Sequence, residues 1–169
     1  MVISSCFVNR DIENEIRKST MEENKEIQLR QIVYNSEEYL SELVLRDAVL
    51  RKPLGMNLFD ENLDAEEDDI HIGAFIHNKI VGVLILTKLN AKEVKMRQVA
   101  VDEYYRNMKI GQEMVLYSEG YSKNAGYTTI LLNARKSAVG FYEKLGYETI
   151  SNEFLEINIP HYKMRKIIK

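Results

Sequence analysis

Cysteine occurs once in the 169 residues, at Cys6. A single cysteine cannot close an internal disulfide and excludes zinc-finger and CxxC chemistry, so a reducing, cytoplasmic setting is expected. Proline occurs twice and no low-complexity tract interrupts the chain, so no linker is marked. No apolar run approaches the ~20 residues of a membrane span. The stretch from Met1 to Val8 has no basic lead and is too short an apolar segment for a signal peptide. Basic charge is not in excess either. The 23 Lys+Arg against 26 Asp+Glu leave a net charge of −3, which argues against a dedicated nucleic-acid binder. No His, Asp, Glu or Cys cluster has ligand spacing, so no metal is expected. What is present is 45 % hydrophobic residues, in a length suited to one domain.

Residues 1–25 are polar and weakly periodic. They read as an N-terminal extension, with translation from Met21 as the alternative. From residue 26 the apolar periodicity changes repeatedly between two and 3.6. Glu26–Tyr34 alternates as a strand. Asn35, with Glu38 in capping-box position, opens a helix with Leu40, Leu43, Val44 and Ala48 at helical spacing, ending near Pro53-Leu54-Gly55. Residues 56–69 form an acidic loop, read as solvated or as a gate for a cationic substrate. Ile70–His77, Ile80–Leu86 and Val94–Val101 form an antiparallel meander. Arg106–Ala125 is a helix with Ile110, Met114, Tyr117 and Tyr121 on its buried side and Gly126 as its stop. Thr128–Asn133 is a strand. A helix capped by Ser137 follows, burying Ala138, Phe141, Tyr142 and Leu145, and Tyr147–Ile157 and His161–Ile168 are the last strands. The order predicts an α/β (α+β) fold: a mixed, mostly antiparallel sheet of six to seven strands flanked by helices. The strands on either side of Arg106–Ala125 should be parallel neighbours. An exposed final strand could pair in a homodimer.

Two stretches carry chemistry. In the first, the strand through Gln98, Val99, Ala100 and Val101 leads by a short loop into a helix start spanning Arg106, Asn107, Met108, Lys109, Ile110, Gly111 and Gln112. Free N–H groups at such a start suit phosphate, and Arg106 and Lys109 add charge. The second runs from Asn133 to Tyr147. Together, Arg106-x-x-Lys109-x-Gly111 and Ala138-x-x-Phe141-Tyr142-x-x-x-Gly146-Tyr147 resemble the GNAT-type N-acetyltransferases over about 140 residues. Arg97-Gln98-Val99-Ala100-Val101 and Ile159-Pro160-His161-Tyr162-Lys163-Met164, with the Leu45–Gly55 stretch, further resemble a bacterial subgroup of that family. Two positions depart from the pattern. Lys109 stands where the family has its first glycine, tolerable if φ stays negative, and Arg135 stands where the family often has asparagine. Asn133, two residues earlier, is the substitute candidate.

The resemblance implies a cytoplasmic enzyme that moves an acetyl group from acetyl-CoA to an amine, small-molecule or peptide, with neither nucleic acid nor membrane as partner. A thioester attacked directly by an amine passes through a tetrahedral oxyanion to a thiolate. The family places the pantetheine arm and the polarised carbonyl on Gln98–Val101 and the pyrophosphate on Arg106–Gln112. Tyr142 occupies the position that assists the leaving thiolate. The amine must be neutral, and deprotonating one of pKa ~10.4 at pH 7 costs roughly 4–5 kcal/mol. Candidates for its base are His71, His77, His161, Glu93, Glu153 and Glu156, with His161 and Glu156 leading. The rival readings are a non-catalytic acyl-CoA-binding or regulatory module, and an interaction protein with an empty helix start.

Overall fold

The computed structural model describes residues 26–168, so the extension read over residues 1–25 lies outside the described part. Alternation places β1 at Gln28–Ile32, followed by helix α1 at Glu37–Arg46. Ser36, not Asn35, caps α1. Its Oγ accepts the Tyr39 N–H at 3.2 Å, while Asn35 takes a left-handed φ of 60° in the turn before it. Glu38 is used elsewhere, pairing with Arg30 at 2.7 Å. The face of α1 turned to the sheet carries Tyr39, Glu42, Leu43 and Arg46. Leu40 and Val44, expected inside, are 58 % and 59 % exposed. Charged Glu42 and Arg46 displace them because their partners lie on the sheet side. A π-type turn, Asp47–Arg51, and a 3₁₀ turn, Lys52–Leu54, prolong the helix to Gly55 at φ 68°.

Strands β2 (Ile70–Ile76), β3 (Lys79–Lys88) and β4 (Glu93–Val101) form the expected meander. Helix α2 occupies Ile110–Asn124, four residues later than its expected start at Arg106, because left-handed residues at Asn107 and Lys109 delay it. Its buried side is Ile110, Met114, Val115, Ser118 and Ser122, and Tyr117 faces out. Then come β5 (Thr129–Arg135), α3 (Val139–Lys144), β6 (Glu148–Thr149), β7 (Phe154–Glu156) and β8 (Ile159–Ile167). Ser137 makes no cap; it sits in a 3₁₀ turn before α3. The single strand expected over Tyr147–Ile157 is two short ones, which brings the described sheet to eight strands.

Their order is β1-β2-β3-β4-β5-β8-β6, with β7 also paired to β8. Among the described strands only β4 and β5 pair in parallel, joined through α2 as expected. The final strand is not an edge, since β5 flanks one side and β6 and β7 the other. Homodimer pairing through it is therefore closed.

Each face of the sheet has its own core. One gathers Ile72, Leu84, Val94, Met96 and Ile130 under α2 and α3; the other gathers Ile32, Leu43, Leu58, Phe75 and Ala100 under α1. Beneath α1 lies an ion cluster. Arg46 holds Glu66 through two hydrogen bonds, 2.8 and 2.7 Å, and Glu42 at 3.2 Å. His71 bridges Glu42 Oε1 (2.8 Å) and the Glu66 carbonyl (3.2 Å). Arg97 adds contacts to Glu66 (3.0 Å) and Asp69 (3.2 Å). Asp47 accepts the Leu58 N–H at 2.9 Å, and Arg51 pairs with Glu61. The acidic loop thus spends Glu61, Glu66 and Asp69 on internal ion pairs, while Asp60, Asp64, Glu67 and Asp68 make none among the described residues.

Removing one member of a buried cluster strands the others' charge, at a cost of about 3–5 kcal/mol. Arg46→Ala should lose that much in urea unfolding. His71 adds a pH signature. Burial disfavours its charged form, but the Glu42 hydrogen bond and charge and the Glu66 carbonyl outweigh it, so its pKa is raised. Its stabilisation is then complete below the unfolded value of ~6.5 and is lost as pH rises through the folded value. Unfolding free energies measured across that range should fall with rising pH, and His71→Gln should flatten the slope.

Candidate functional site

The site begins with one extra residue in β4. Val83 pairs with Ala100 and Ile85 with Arg97, so Gln98 and Val99 together face Leu84. This is a β-bulge, and Gln98 takes φ 55° to make it. The insertion also exchanges faces. Val94 and Met96 point to the α2 core, whereas Ala100 points to the α1 core and Val99 and Val101 pack on the α2 side. Immediately before the bulge the ladder to β5 stops, its last pair being Met96 with Leu132. Both strands continue, β4 toward β3 and β5 toward β8. The sheet therefore parts, and backbone groups of β4 facing the gap have no strand partner beyond Met96 among the described residues.

A cavity of about 260 Å³ fills the parting. Gln98, Val99 and Arg97 line it from β4, Asn133 and Arg135 from β5, Tyr142 from α3, Glu156 from β7 and His161 from β8. Leu50, Arg51 and Leu54, from the turns after α1, close the opposite wall. Three catalytic candidates from the sequence, Tyr142, His161 and Glu156, thus meet at one cavity, with Gln98, Val99 and Asn133 from the cofactor set. Ala100 and Val101 do not line it.

Tyr142 is buried, edge-on to Phe141 and Tyr147, and burial pushes its hydroxyl up to about 12. It stays protonated at neutral pH, a donor with no protein partner among the described residues. His161 is buried and stacked on Phe154. Its Nδ1–H donates to the Ile159 carbonyl at 2.8 Å, which leaves Nε2 with the lone pair in the neutral ring. Asn133 donates to Glu156 Oε2 at 2.7 Å, so its amide orients that carboxylate. Gln98 Oε1 is buried without a partner among the described residues. The other base candidates are elsewhere. His71 belongs to the ion cluster, His77 to the β2–β3 turn, Glu93 to the Asn90 turn, and Glu153 is held by Lys136 and Tyr162.

Arg106, Asn107, Met108, Lys109, Ile110, Gly111 and Gln112 lie outside the cavity lining, at the α2 end on the sheet face that carries α3. The turn of α2 closes with the Glu113 N–H on the Lys109 carbonyl at 3.0 Å. The N–H groups of Ile110, Gly111 and Gln112 precede that bond and lack an intrahelical partner. Ile110 itself is buried in the core and can offer only backbone. Lys109 has φ 61°, so the negative φ that would accommodate a side chain there is not adopted. Arg51, Leu50, Leu54, Lys95 and Arg135 also line the cavity, outside the catalytic and cofactor-binding candidates of the sequence. For the first three the only signal was the Leu45–Gly55 stretch.

The family model described as an acetyltransferase (GNAT) domain matches residues 58–168. YyaT, a protein of Bacillus subtilis, is 34% identical over 110 residues, 65% of this chain and 74% of its own length. Escherichia coli ElaA superimposes with a TM-score of 0.71 at 22% identity, over 83% of this chain and 99% of its own. An aminoglycoside 6'-N-acetyltransferase in complex with coenzyme A gives 0.66 at 19%, over 84% and 97%. The chain belongs to the GNAT acetyltransferase family, whose members use acetyl-CoA. Among the described residues no group of three metal-ligating side chains forms, and no helix is long and apolar enough to cross a membrane.

A non-glycine residue in the left-handed region costs about 1–2 kcal/mol. Lys109→Gly should therefore raise stability by about 0.5–1 kcal/mol. Lys109→Val should lower it. Denaturation midpoints of the two variants check this.

Proposed function

We propose that the protein is an N-acetyltransferase that moves the acetyl group of acetyl-CoA to an amine by direct attack. The observation that carries this reading is the meeting of Tyr142, His161 and Glu156 at the cavity where β4 and β5 part. Membership in the GNAT family and the coenzyme A complex of a structural neighbour support the donor. The likeness of Arg97–Val101 and Ile159–Met164 to one bacterial subgroup of that family belongs to the same reading.

On this reading the pantetheine arm lies along β4 at the gap, and the pyrophosphate meets the free N–H groups between Asn107 and Gln112. Unpaired β4 N–H groups beside the bulge then polarise the thioester carbonyl and hold the oxyanion. No serine, threonine or cysteine lines the cavity among the described residues, which favours direct attack over an acyl-enzyme. His161 Nε2 takes the proton of the attacking amine. Glu156, steered by Asn133, favours the ammonium form on arrival. The Tyr142 hydroxyl, with its pKa near 12, is too weak an acid to protonate sulfur before C–S cleavage. It hydrogen-bonds the departing thiolate and hands over its proton as the bond breaks. The amine is small-molecule or peptide, and the enzyme works as a cytoplasmic catalyst.

Free-thiol release from acetyl-CoA with a panel of amines tests the reading. Thermal stabilisation by CoA without thiol release would instead favour a non-catalytic acyl-CoA-binding module; at ~100 times its Kd a ligand adds ~2.7 kcal/mol. Where chemistry limits the rate, Tyr142→Phe should lower kcat by about 10²–10⁴-fold with little change in CoA affinity. His161→Ala should lose most at low pH and recover as pH rises, because alkaline medium supplies neutral amine. An equal loss at every pH would make His161 a holder of the strand or acceptor and not the base.

A further inference from the structure

The wall of the cavity on the α1 side is cationic. Arg51 comes from the turn after α1, Lys95 and Arg97 from β4, and Arg135 from β5. Two of these charges are already neutralised, Arg51 by Glu61 and Arg97 by Glu66 and Asp69. Lys95 and Arg135 have no ion-pair partner among the described residues. A single carboxylate, Glu156, lines the same cavity, and its hydrogen bond to Asn133 leaves its charge in place. In a chain of net charge −3 this is a local reversal of sign. Converging charge in a cleft with apolar walls attracts ions of the opposite sign.

The two signs are also ordered in space. Arg135 and His161 are direct partners in the β5–β8 ladder, so their side chains leave the same face. Cβ atoms of such a pair are about 4.5–5.5 Å apart. One neighbour in register can take a proton from an amine, and the other is a fixed cation. Glu156 leaves that face from the adjoining β7–β8 hairpin, where it pairs with Ile159. The buried, unpartnered Gln98 Oε1 offers an acceptor for an N–H entering the gap.

We infer that the acceptor is a small amine carrying an anionic group, a carboxylate or a phosphate, a few bonds from its nitrogen. This rests on the acetyltransferase reading. Glu156 and His161 receive the nitrogen, and the Arg135 guanidinium, whose planar fork fits either oxyanion, receives the anion, while Lys95, paired with Leu131 further back along β5, adds positive charge to the same wall. The cavity of about 260 Å³ favours a molecule of a few heavy atoms over a folded surface. The N–C bond forms first, giving the tetrahedral oxyanion, whose collapse breaks the C–S bond, and the proton lost by the nitrogen is balanced by the one that ends on the CoA sulfur. The same wall repels polycations.

The test is free-thiol release at saturating acetyl-CoA with matched acceptors. Amino acids are compared with their amides, and 2-aminoethyl phosphate with 2-aminoethanol, so the two pairs separate carboxylate from phosphate. The acidic member of at least one pair should have the higher kcat/KM, by about tenfold or more. Arg135→Gln should abolish that preference by raising KM for the acidic acceptor about tenfold, with KM for acetyl-CoA and turnover of the neutral acceptor unchanged. Arg135→Lys should restore part of it. Equal or better use of the neutral partners overturns the inference alone. So does a rise in the acetyl-CoA KM of Arg135→Gln, which would assign this arginine to the donor. Stabilisation by CoA with no thiol release from any amine overturns the acetyltransferase reading, and the inference falls with it.

Discussion

One extra residue in β4 is the constraint on which the rest depends. A strand has a side-chain period of two, so inserting Gln98 turns every later side chain to the other face. Ala100 joins the core under α1, and Val99 and Val101 turn toward α2. The bend steers the strand toward β3 at the level where its ladder to β5 ends. A regular β4 could have stayed zipped to β5, and the sheet would have no opening at its centre. The left-handed φ of Gln98 is the local strain accepted for that geometry.

The ion cluster under α1 fixes the far wall of the opening. Arg46 and Glu66 join the helix to the acidic loop, His71 joins both to β2, and Arg97 extends the cluster to the residue before the bulge. Such clusters add little net stability compared with an apolar core, but they specify one arrangement. Here that arrangement sets where the turns after α1, with Leu50, Arg51 and Leu54, stand relative to β4. Burial of so many charges also explains why an acidic loop sits next to a basic cavity wall without neutralising all of it.

The outline of the fold was legible in the sequence because periodicity is a local property. The β2–β4 meander, α2 and the parallel β4–β5 pair appeared where alternation and helical spacing put them. Tyr142, His161 and Glu156 could be named from motif positions, and the cavity brings them together. Other features depend on partners far along the chain. The bulge is visible only in the register against β3, and the ion cluster draws on four separate segments. Asn35 and Ser36 are both good cap residues, and only the φ of the turn decides between them. Leu40 and Val44 have helical spacing, yet a buried arginine and glutamate compete for the same face and win through their ion partners. Lys109 looks tolerable at negative φ; the approach to α2 demands the opposite sign.

The parting of β4 and β5 connects two faces of one sheet. The free N–H groups of α2 belong to the face with α3, whereas Arg51, Lys95 and Arg135 belong to the face with α1. On the acetyl-transfer reading, donor and acceptor therefore arrive through separate mouths and touch only at the seam. A single inhibitor joining both halves must be threaded, bulky at its two ends and no wider than a pantetheine chain where the strands divide.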